Sequence, residues 1–461
     1  MSRRLVLICA VSVAVCAGAP ARAYLKVHPA NPHYFLETTT GKPVLFASCA
    51  GYVPTDRDCD YRAQIKKMRE QNLTYGRVWH FLPWAGENAI WPWARSGRPG
   101  APMGGNKIDM NLWNPEYWDR MSRSVSEASK AGIYSEIHLF ERCGMSPASP
   151  TRWRNNPWAS DNNVNDIETP DASKDGTPDF YLYEEKPNLR AQQERYVRKM
   201  IDRTVKSPYV IYEIENEHWE YDNPKFAEHY ARFVKEYIAR KYPTCPRLVS
   251  HSSLQNDLEA FYKIPYVDIV NRHFGNEAER NPDALNRYIE PRWSRNKAIN
   301  IDEFANGVTE TDLLRKMCWI IITSGGNFHI EDAVESSRPA EVCESIRQFR
   351  VTSGWDFVHS APNRSFIASG DGYCMARPGK EYAAYFPAGG TGAGGLRVRR
   401  SPVVKEIDLA PGLYRARWWN PRASGFSKPT LIRGGGVRRL RAPDAQDWAL
   451  HVRAAGDRWN K

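Results

Sequence analysis

Two glutamates, each near the end of an apolar segment, carry the chemistry that stands out in this sequence. Glu217 lies in "VIYEIENEHWE" and Glu303 lies in "AINIDEF". A pair of carboxyl groups can cleave a glycosidic bond, because one protonates the leaving oxygen while the other attacks the sugar or activates water. Such pairs are roughly 5–5.5 Å apart in retaining enzymes and roughly 6.5–9.5 Å apart in inverting ones, and the sequence leaves both geometries open.

The elements that must position these glutamates follow a regular pattern. Apolar strand-like segments alternate with amphipathic helical segments, which is typical of a parallel sheet covered by helices. The expected strands are "PVLFAS", "LTYGRVWHF", "IYSEIHLF", "YVIYEIEN", "RLVSHS", "DIVNRHF", "AINIDEF" and "GNFHIE". This number of units predicts an α/β fold of the (β/α)8 TIM barrel type. No G-x-G-x-x-G follows the first strand, which argues against a dinucleotide-binding fold.

The sequence predicts three regions. Residues 1–23 have two arginines, a short apolar stretch and an Ala-Arg-Ala pattern, which together indicate a signal peptide. Residues 24–361 form the predicted catalytic barrel. In residues 362–461 short strands alternate with Gly- and Pro-rich turns, which predicts a small C-terminal β-sandwich. We therefore expect an exported protein, periplasmic or extracellular, with no later segment able to span a membrane.

Polar side chains dominate the expected C-terminal ends of the strands, where the active sites of such barrels lie. Serines and glycines would suffice at the rim of a purely structural barrel. This chain instead places there Arg77, Trp79, His80, His138, Glu141, Glu215, Asn216, Glu217, His218, Asn271, Arg272, His273, Asp302, Glu303, His329 and Glu331.

Several of these residues have a structural interpretation beside the functional one. Glu213 alternates with Glu217 along the fourth strand, and we expect it to be an ion-pair partner of Arg77 inside the barrel. Asp302 competes with Glu303, because neighbouring strand residues face opposite sides and only one of the two should point inward. The histidines of the rim are either hydrogen-bonded core residues or residues that contact the substrate.

Two segments resemble the catalytic strands of clan A glycoside hydrolases, family 5-like or apiosidase-like. "SPYVIYEIENEHW" is similar to their fourth strand, which ends in Asn-Glu, and "AINIDEF" is similar to their seventh. The tail "LAPGLYRARWWNPRASG" resembles the small β-domain, labelled collagen-binding, that follows the barrel in apiosidase-like proteins. The resemblance implies that Glu217 is the acid/base and Glu303 the nucleophile. It also implies substrate-binding roles for residues that match the family's other motifs, namely Arg77, His138, Asn216 and His273.

The predicted function is that of an exported, retaining glycoside hydrolase that cleaves a plant or microbial polysaccharide or oligosaccharide by double displacement. Trp219 or Trp84 is expected to enclose Glu217, both tryptophans are expected to contact the sugar, and Asn216 is expected to donate to the sugar 2-hydroxyl. No metal or other cofactor is required. An inverting or exo-acting hydrolase is one alternative, and a non-catalytic carbohydrate-binding protein on the same barrel is another. A functional C-terminal domain would need Trp418 and Trp419 exposed, whereas a buried pair would indicate a structural buttress.

Charge and cysteine content favour no further partner. The net charge of +11 fits an acidic polysaccharide or a nucleic acid, but the charges are scattered and are typical of a solvated surface. We therefore expect no nucleic-acid partner. The cysteines include no Cys-x-x-Cys pair, which argues against a zinc site, and Cys49 with Cys59 is a local candidate for a disulfide.

Overall fold

The computed structural model describes most of the chain after the predicted signal peptide. The described residues are 24–145, 150–170, 179–217, 224–253, 259–275, 281–305, 308, 310–330, 338–388 and 404–456. The signal peptide prediction, His218, Trp219 and Glu331 therefore lie outside the described residues.

Parallel strands form a closed barrel. Each strand pairs with the next, and the last pairs with the first. The strands are β1 (Ala47–Cys49, resuming at Gly51–Tyr52), β2 (Tyr75–Val78), β3 (Tyr134–Glu141), β4 (Val210–Asn216), β5 (Leu248–Ser253), β6 (Ile269–Gly275), β7 (Ala298–Phe304) and β8 (Asn327–Ile330). The predicted (β/α)8 barrel is confirmed.

A helix follows each strand and covers the outside of the barrel. The helices are α1 (Tyr61–Glu70), α2 (Pro115–Lys130), α3 (Pro187–Thr204), α4 (Pro224–Lys241), α5 (Glu259–Lys263), α6 (Asp283–Arg292), α7 (Thr311–Thr323) and α8 (Arg338–Ser353). Capping side chains mark the starts of two of these helices, since Asp60 and Asn114 accept backbone N–H hydrogen bonds at the first turns of α1 and α2. Because the helices cover one side and the interior fills the other, every residue of β3, β4 and β7 is buried.

A small antiparallel sheet closes the N-terminal end of the barrel. Its strands are Leu25–Val27, Phe35–Glu37 and Pro43–Val44. The expected first barrel strand began at Pro43, and this boundary is wrong because Pro43 and Val44 pair with the small sheet instead. The ring of Phe46 stacks between Phe35, at 4.6 Å, and Tyr75, at 4.2 Å. This plug leaves the opposite, C-terminal end of the barrel for a site.

Irregular segments add to this framework. A hairpin of Trp93–Pro99 and Asn106–Trp113 follows β2, and a short helix, Pro150–Arg154, follows β3. Single 3-10 turns lie at Gly86–Asn88, Arg142–Met145, Ser160–Asn162, Asp179–Tyr181, Trp293–Arg295, Phe357–His359 and Arg364–Phe366. Among the described residues no helix has the length and apolar character that crossing a bilayer requires.

The C-terminal part consists of two antiparallel sheets around a core of their own, which confirms the predicted β-sandwich. The larger sheet contains Ala361–Pro362, Tyr373–Arg377, Glu381–Phe386, Trp448–Ala454, Leu413–Asn420, Gly425–Phe426 and Thr430–Arg433. The smaller sheet contains Ile367–Ser369, Val404–Leu409 and Gly436–Arg441.

Candidate active site

Glu217 and Glu303 lie at the C-terminal rim of the barrel, both with left-handed backbone conformations. Glu217 directly follows the last residue of β4 and has φ +54°, and Glu303 in β7 has φ +46°. Non-glycine residues avoid this region, at a cost of about 1–3 kcal/mol each, and such residues cluster at functional sites. Two strained glutamates on separate strands therefore mark this rim as the candidate site.

The two carboxylates lie close together, with an imidazole between them. One oxygen of Glu217 and one of Glu303 lie within 4.8 Å of each other and of a ring nitrogen of His273. His273 Nδ1 is 3.2 Å from Glu303 Oε2 and 3.8 Å from Glu217 Oε1. The side chain of Glu217 is 23% exposed, whereas that of Glu303 is 6% exposed. Glu217 thus faces solvent and Glu303 lies deeper in the barrel.

Arg77 of β2 lies beneath Glu303 and is fully buried. Its Nη1 contacts Glu303, and its Nη2 donates to Glu213 Oε2 at 2.5 Å and to Asn216 Oδ1 at 2.6 Å. Burial acts to lower the pKa of Arg77, but Glu213 and neighbouring carboxylates raise it above its ordinary value. A charged guanidinium favours the ionised form of the Glu303 carboxylate it touches. The predicted ion pair between Arg77 and Glu213 is confirmed.

Asp302 and Glu303 both point into the barrel, so the expectation that only one of them would do so is wrong. Asp302 Oδ2 is 3.3 Å from His273 Nε2 and 3.8 Å from Arg77 Nη1, while Glu303 contacts the same two side chains. The physical reason is a register shift between Asp302 and Phe304, where β7 pairs with β8 and Glu303 turns left-handed. Such a bulge breaks the alternation of strand side chains.

Asn216 and His138 belong to a chain of contacts beside the glutamates. The Asn216 amide donates to Glu141 Oε2 at 3.1 Å, and Glu141 Oε2 is 3.5 Å from His138 Nε2. His138 stacks on His80, with ring centroids 4.7 Å apart. Burial lowers the pKa of His138 well below its ordinary value and that of His80 to about 4, so both imidazoles are neutral. Because Asn216 Oδ1 also accepts a hydrogen bond from Arg77, this chain of contacts ends at the arginine beneath Glu303.

A polar network fills the barrel interior below the rim. Glu136 accepts hydrogen bonds from the Ser250 hydroxyl at 2.6 Å and from the Asn271 amide at 3.1 Å, and Tyr75 also contacts it. The Asn271 amide also donates to Glu213 Oε1 at 2.8 Å. Sequence reasoning missed Glu136, although a glutamate two positions before His138 in an apolar strand was a usable signal. The network supports Arg77 from below and so fixes its approach to Glu303.

Of the two tryptophans expected to contact the sugar, Trp84 lies within the described residues. Trp84 is 46% exposed, and the Arg152 guanidinium lies 5.4 Å from the centroid of its ring. An exposed tryptophan is a suitable platform for a sugar ring, but its expected contact with Glu217 stays a prediction. Trp219, which shares that prediction, lies outside the described residues.

Among the residues that the structure describes, two groups of side chains have the spacing of metal ligands, and the charges around both disfavour a cation. Glu217, His273 and Glu303 form one group. The guanidinium of Arg77 already contacts Glu303 there. Glu136, Glu213 and Asp302 form the other, and each lies within 3.8 Å of an Arg77 nitrogen. Because the arginine supplies the positive charge that a metal ion would bring, neither group fits a resident metal.

Comparisons with solved structures agree with this architecture. A structure described as a glycoside hydrolase matches with TM-score 0.63 and 14% identity, over 95% of this chain and 98% of the other. A glycoside hydrolase structure from Bacteroides vulgatus matches with TM-score 0.66 and 12% identity, over 95% and 84% of the two chains. No protein-family model and no curated protein matches the sequence. At these identities the likeness establishes a shared fold: a (β/α)8 barrel followed by a β-domain, as in structures described as glycoside hydrolases.

Proposed function

We propose that this protein is a retaining glycoside hydrolase in which Glu303 is the nucleophile and Glu217 the acid/base. The observation that carries the proposal is the approach of their carboxylate oxygens to within 4.8 Å at the C-terminal rim. Retaining enzymes hold their carboxyl groups roughly 5–5.5 Å apart, whereas inverting enzymes need roughly 6.5–9.5 Å to admit a water molecule. The spacing therefore favours double displacement.

The surroundings of the two glutamates support this division of roles. Glu303 contacts Arg77 and lies 3.2 Å from His273 Nδ1, two groups that favour an ionised carboxylate ready to attack. Glu217 is more exposed and can reach both a leaving group and solvent water. An acid/base must exchange its proton in both steps of the reaction, so the exposed position suits Glu217.

The reaction follows from these positions. Glu303 attacks the anomeric carbon while Glu217 protonates the departing glycosidic oxygen, which breaks the C–O bond and leaves a glycosyl ester on Glu303. Glu217, now ionised, accepts a proton from water, and that water attacks the same carbon. Release of the sugar regenerates an ionised Glu303 and a protonated Glu217. The net stereochemistry at the anomeric carbon is retained.

The substrate is proposed to be a plant or microbial polysaccharide or oligosaccharide. The fold shared with glycoside hydrolase structures and the exposed Trp84 support a carbohydrate ligand. The N-terminal segment of the sequence supports export of the protein to the periplasm or beyond, where such glycans occur.

Sugar release from a panel of glycans tests the proposal. Wild type and the Glu303→Gln and Glu217→Gln variants are incubated with each glycan, and Glu70→Gln, on the surface of α1, serves as the matched control. We expect release by wild type and by Glu70→Gln, and a loss of at least about 10²-fold in the other two variants. Binding of a glycan without release by wild type would instead support the alternative, a non-catalytic carbohydrate-binding protein.

A further inference from the structure

His273 has a carboxylate oxygen opposite each of its two ring nitrogens. Nε2 lies 3.3 Å from Asp302 Oδ2, and Nδ1 lies 3.2 Å from Glu303 Oε2. A neutral imidazole has one N–H donor and one acceptor nitrogen, so it would direct a lone pair at one of these oxygens. An imidazolium has two donors and suits both. The Nε2–H is not aligned for a hydrogen bond with Asp302, so that contact is an ion pair, and carboxylate charge on both sides of the ring favours a doubly protonated His273.

We propose that Asp302 is a positioning residue, which holds the His273 imidazolium between Glu217 and Glu303 through the contact of its Oδ2 with Nε2. This inference rests on the proposed function of the two glutamates and gives Asp302, considered from the sequence as a competitor of Glu303, a different role. Asp302 touches no reacting atom and acts through His273, which it approaches more closely than it does Arg77. The bulge in β7 makes this possible, because it turns Glu303 inward beside Asp302, which alternation with the inward-facing Asn300 already directs into the barrel.

The groups around His273 come from several strands of the barrel. They are Asp302 and Glu303 on β7, Glu217 after β4, Arg77 on β2 and His329 on β8. Burial acts to lower the pKa of His273, but Asp302 raises it to about 9. Burial acts to raise the pKa of Asp302, and His273 with Arg77 brings it below its ordinary value. The two residues thus stabilise each other's charge.

An imidazolium at this place has a role in both steps of double displacement. In the resting enzyme its Nδ1–H faces the ionised Glu303. Once Glu303 is esterified and Glu217 has given up its proton, the negative charge lies on Glu217, whose Oε1 is 3.8 Å from the same nitrogen. A small rotation of either side chain lets one N–H serve each carboxylate in turn. Asp302 keeps that donor protonated and in place throughout.

Nitrogen NMR of histidine-labelled protein tests the inference without any substrate. The chain has 11 histidines, and the His273→Gln variant identifies the signals of residue 273. We expect wild type to show both ring nitrogens of His273 protonated at pH 7. In Asp302→Asn the pH at which His273 loses a ring proton should fall by about one unit or more. The reason is that the carboxylate charge that offsets desolvation of the imidazolium is gone.

Glu136→Gln is the matched control. Glu136 and Asp302 each lie 3.8 Å from an Arg77 nitrogen, but it is Asp302 that contacts His273. In this control the pKa of His273 should stay within about 0.3 pH units of its value in wild type. A singly protonated His273 in wild type at pH 7 would overturn the inference, and this reading stands even if Asp302→Asn fails to fold. An unshifted titration in folded Asp302→Asn would overturn it as well.

Activity gives a second readout once a substrate is known. In Asp302→Asn the alkaline limb of the kcat/KM profile should move to lower pH, whereas damage to structure alone would lower activity equally at every pH. Because the NMR result needs no catalysis, absence of sugar release in the panel would count against the proposed function and leave the position of His273 to be judged separately.

Discussion

At the scale of single residues, the two glutamates differ in depth and in what surrounds them. Glu303 lies against Arg77 and His273, and Glu217 is partly open to solvent. A general acid matters only when the leaving group is poor, whereas a nucleophile is needed for every substrate. The division of roles can therefore be tested by changing the leaving group.

We predict that Glu217→Gln lowers kcat/KM by about 10²–10⁴-fold on natural glycans but much less on aryl glycosides with an activated leaving group. Glu303→Gln should abolish activity on both. Initial rates on a glycan and on a matched dinitrophenyl glycoside measure this directly. Equal losses on the two substrates for Glu217→Gln would assign the acid role to another residue.

The sequence predicted part of this site and missed another part for a physical reason. The positions of Glu217, Glu303 and Arg77 at the strand ends follow from strand order, their roles were implied by the family resemblance, and the pairing of Arg77 with Glu213 follows from the alternation of side chains. The presence of both Asp302 and Glu303 on the inner side does not, because a bulge depends on how β7 pairs with β8, and the sequence of one strand does not contain that information.

At the scale of elements, the barrel depends on close contact between β1 and β2. β1 is interrupted at Ala50, which has φ +71°, and resumes at Gly51, which pairs with Arg77. A Cβ at Gly51 would lie 2.3 Å from the Arg77 carbonyl oxygen. The glycine therefore lets β1 approach the strand that carries the arginine beneath Glu303.

We predict that Gly51→Ala destabilises the fold by about 1–3 kcal/mol or more, because β1 and β2 must separate to admit the methyl group. Gly425→Ala is the control, since no atom lies within 4 Å of a Cβ built there. Chemical denaturation followed by tryptophan fluorescence gives both values. A Gly51→Ala variant as stable as the control would contradict the close packing of these strands.

The periodicity of the sequence predicted the strands and their order but not every boundary. Pro43 and Val44 have the composition of a barrel strand, yet they pair with the sheet that closes the N-terminal end. Composition indicates that a segment is extended and buried, and it does not name the partner strand. In the structure Phe46, two residues after Val44, packs between Phe35 of the small sheet and Tyr75 of β2, where the two sheets meet.

At the scale of the whole molecule, the C-terminal domain packs on the barrel through the outer face of its larger sheet. Tyr385 stacks on Trp319 of α7 at 5.7 Å, and Trp419 lies 5.9 Å from Phe349 of α8. Trp418 and Trp419 are 8% and 1% exposed, so the buried pair expected of a structural buttress is confirmed. The shared core indicates that domain and barrel unfold together.

Asp447 of the C-terminal domain forms an ion pair across this interface with Arg315 of the barrel, and replacing Asp447 tests the importance of the interface. Arg315 of α7 donates to both Asp447 oxygens, at 2.8 and 2.9 Å, and Arg422 and Tyr385 donate to them as well. We predict that Asp447→Asn lowers the free energy of unfolding by about 3–5 kcal/mol, because Arg315 is left buried without its main carboxylate.

Asp312→Asn provides the control for this prediction. Asp312 pairs with the same arginine at 2.9 Å but is 83% exposed. Asp312→Asn should therefore lower the free energy of unfolding by no more than about 1 kcal/mol. Calorimetry should show a single transition for wild type and for both variants. Two separate transitions in wild type would show that the domain folds independently and is no buttress.

The central claim, nucleophilic attack by Glu303, is tested most directly by trapping the glycosyl-enzyme. Protein is incubated with an activated 2-deoxy-2-fluoro glycoside of the sugar released in the panel, and the digested peptides are analysed by mass spectrometry. We predict one added fluoroglycosyl group, on Glu303, and none in Glu303→Gln. Turnover of the substrate with no adduct and an inverted anomeric product, or an adduct on another residue such as Asp302, would contradict it.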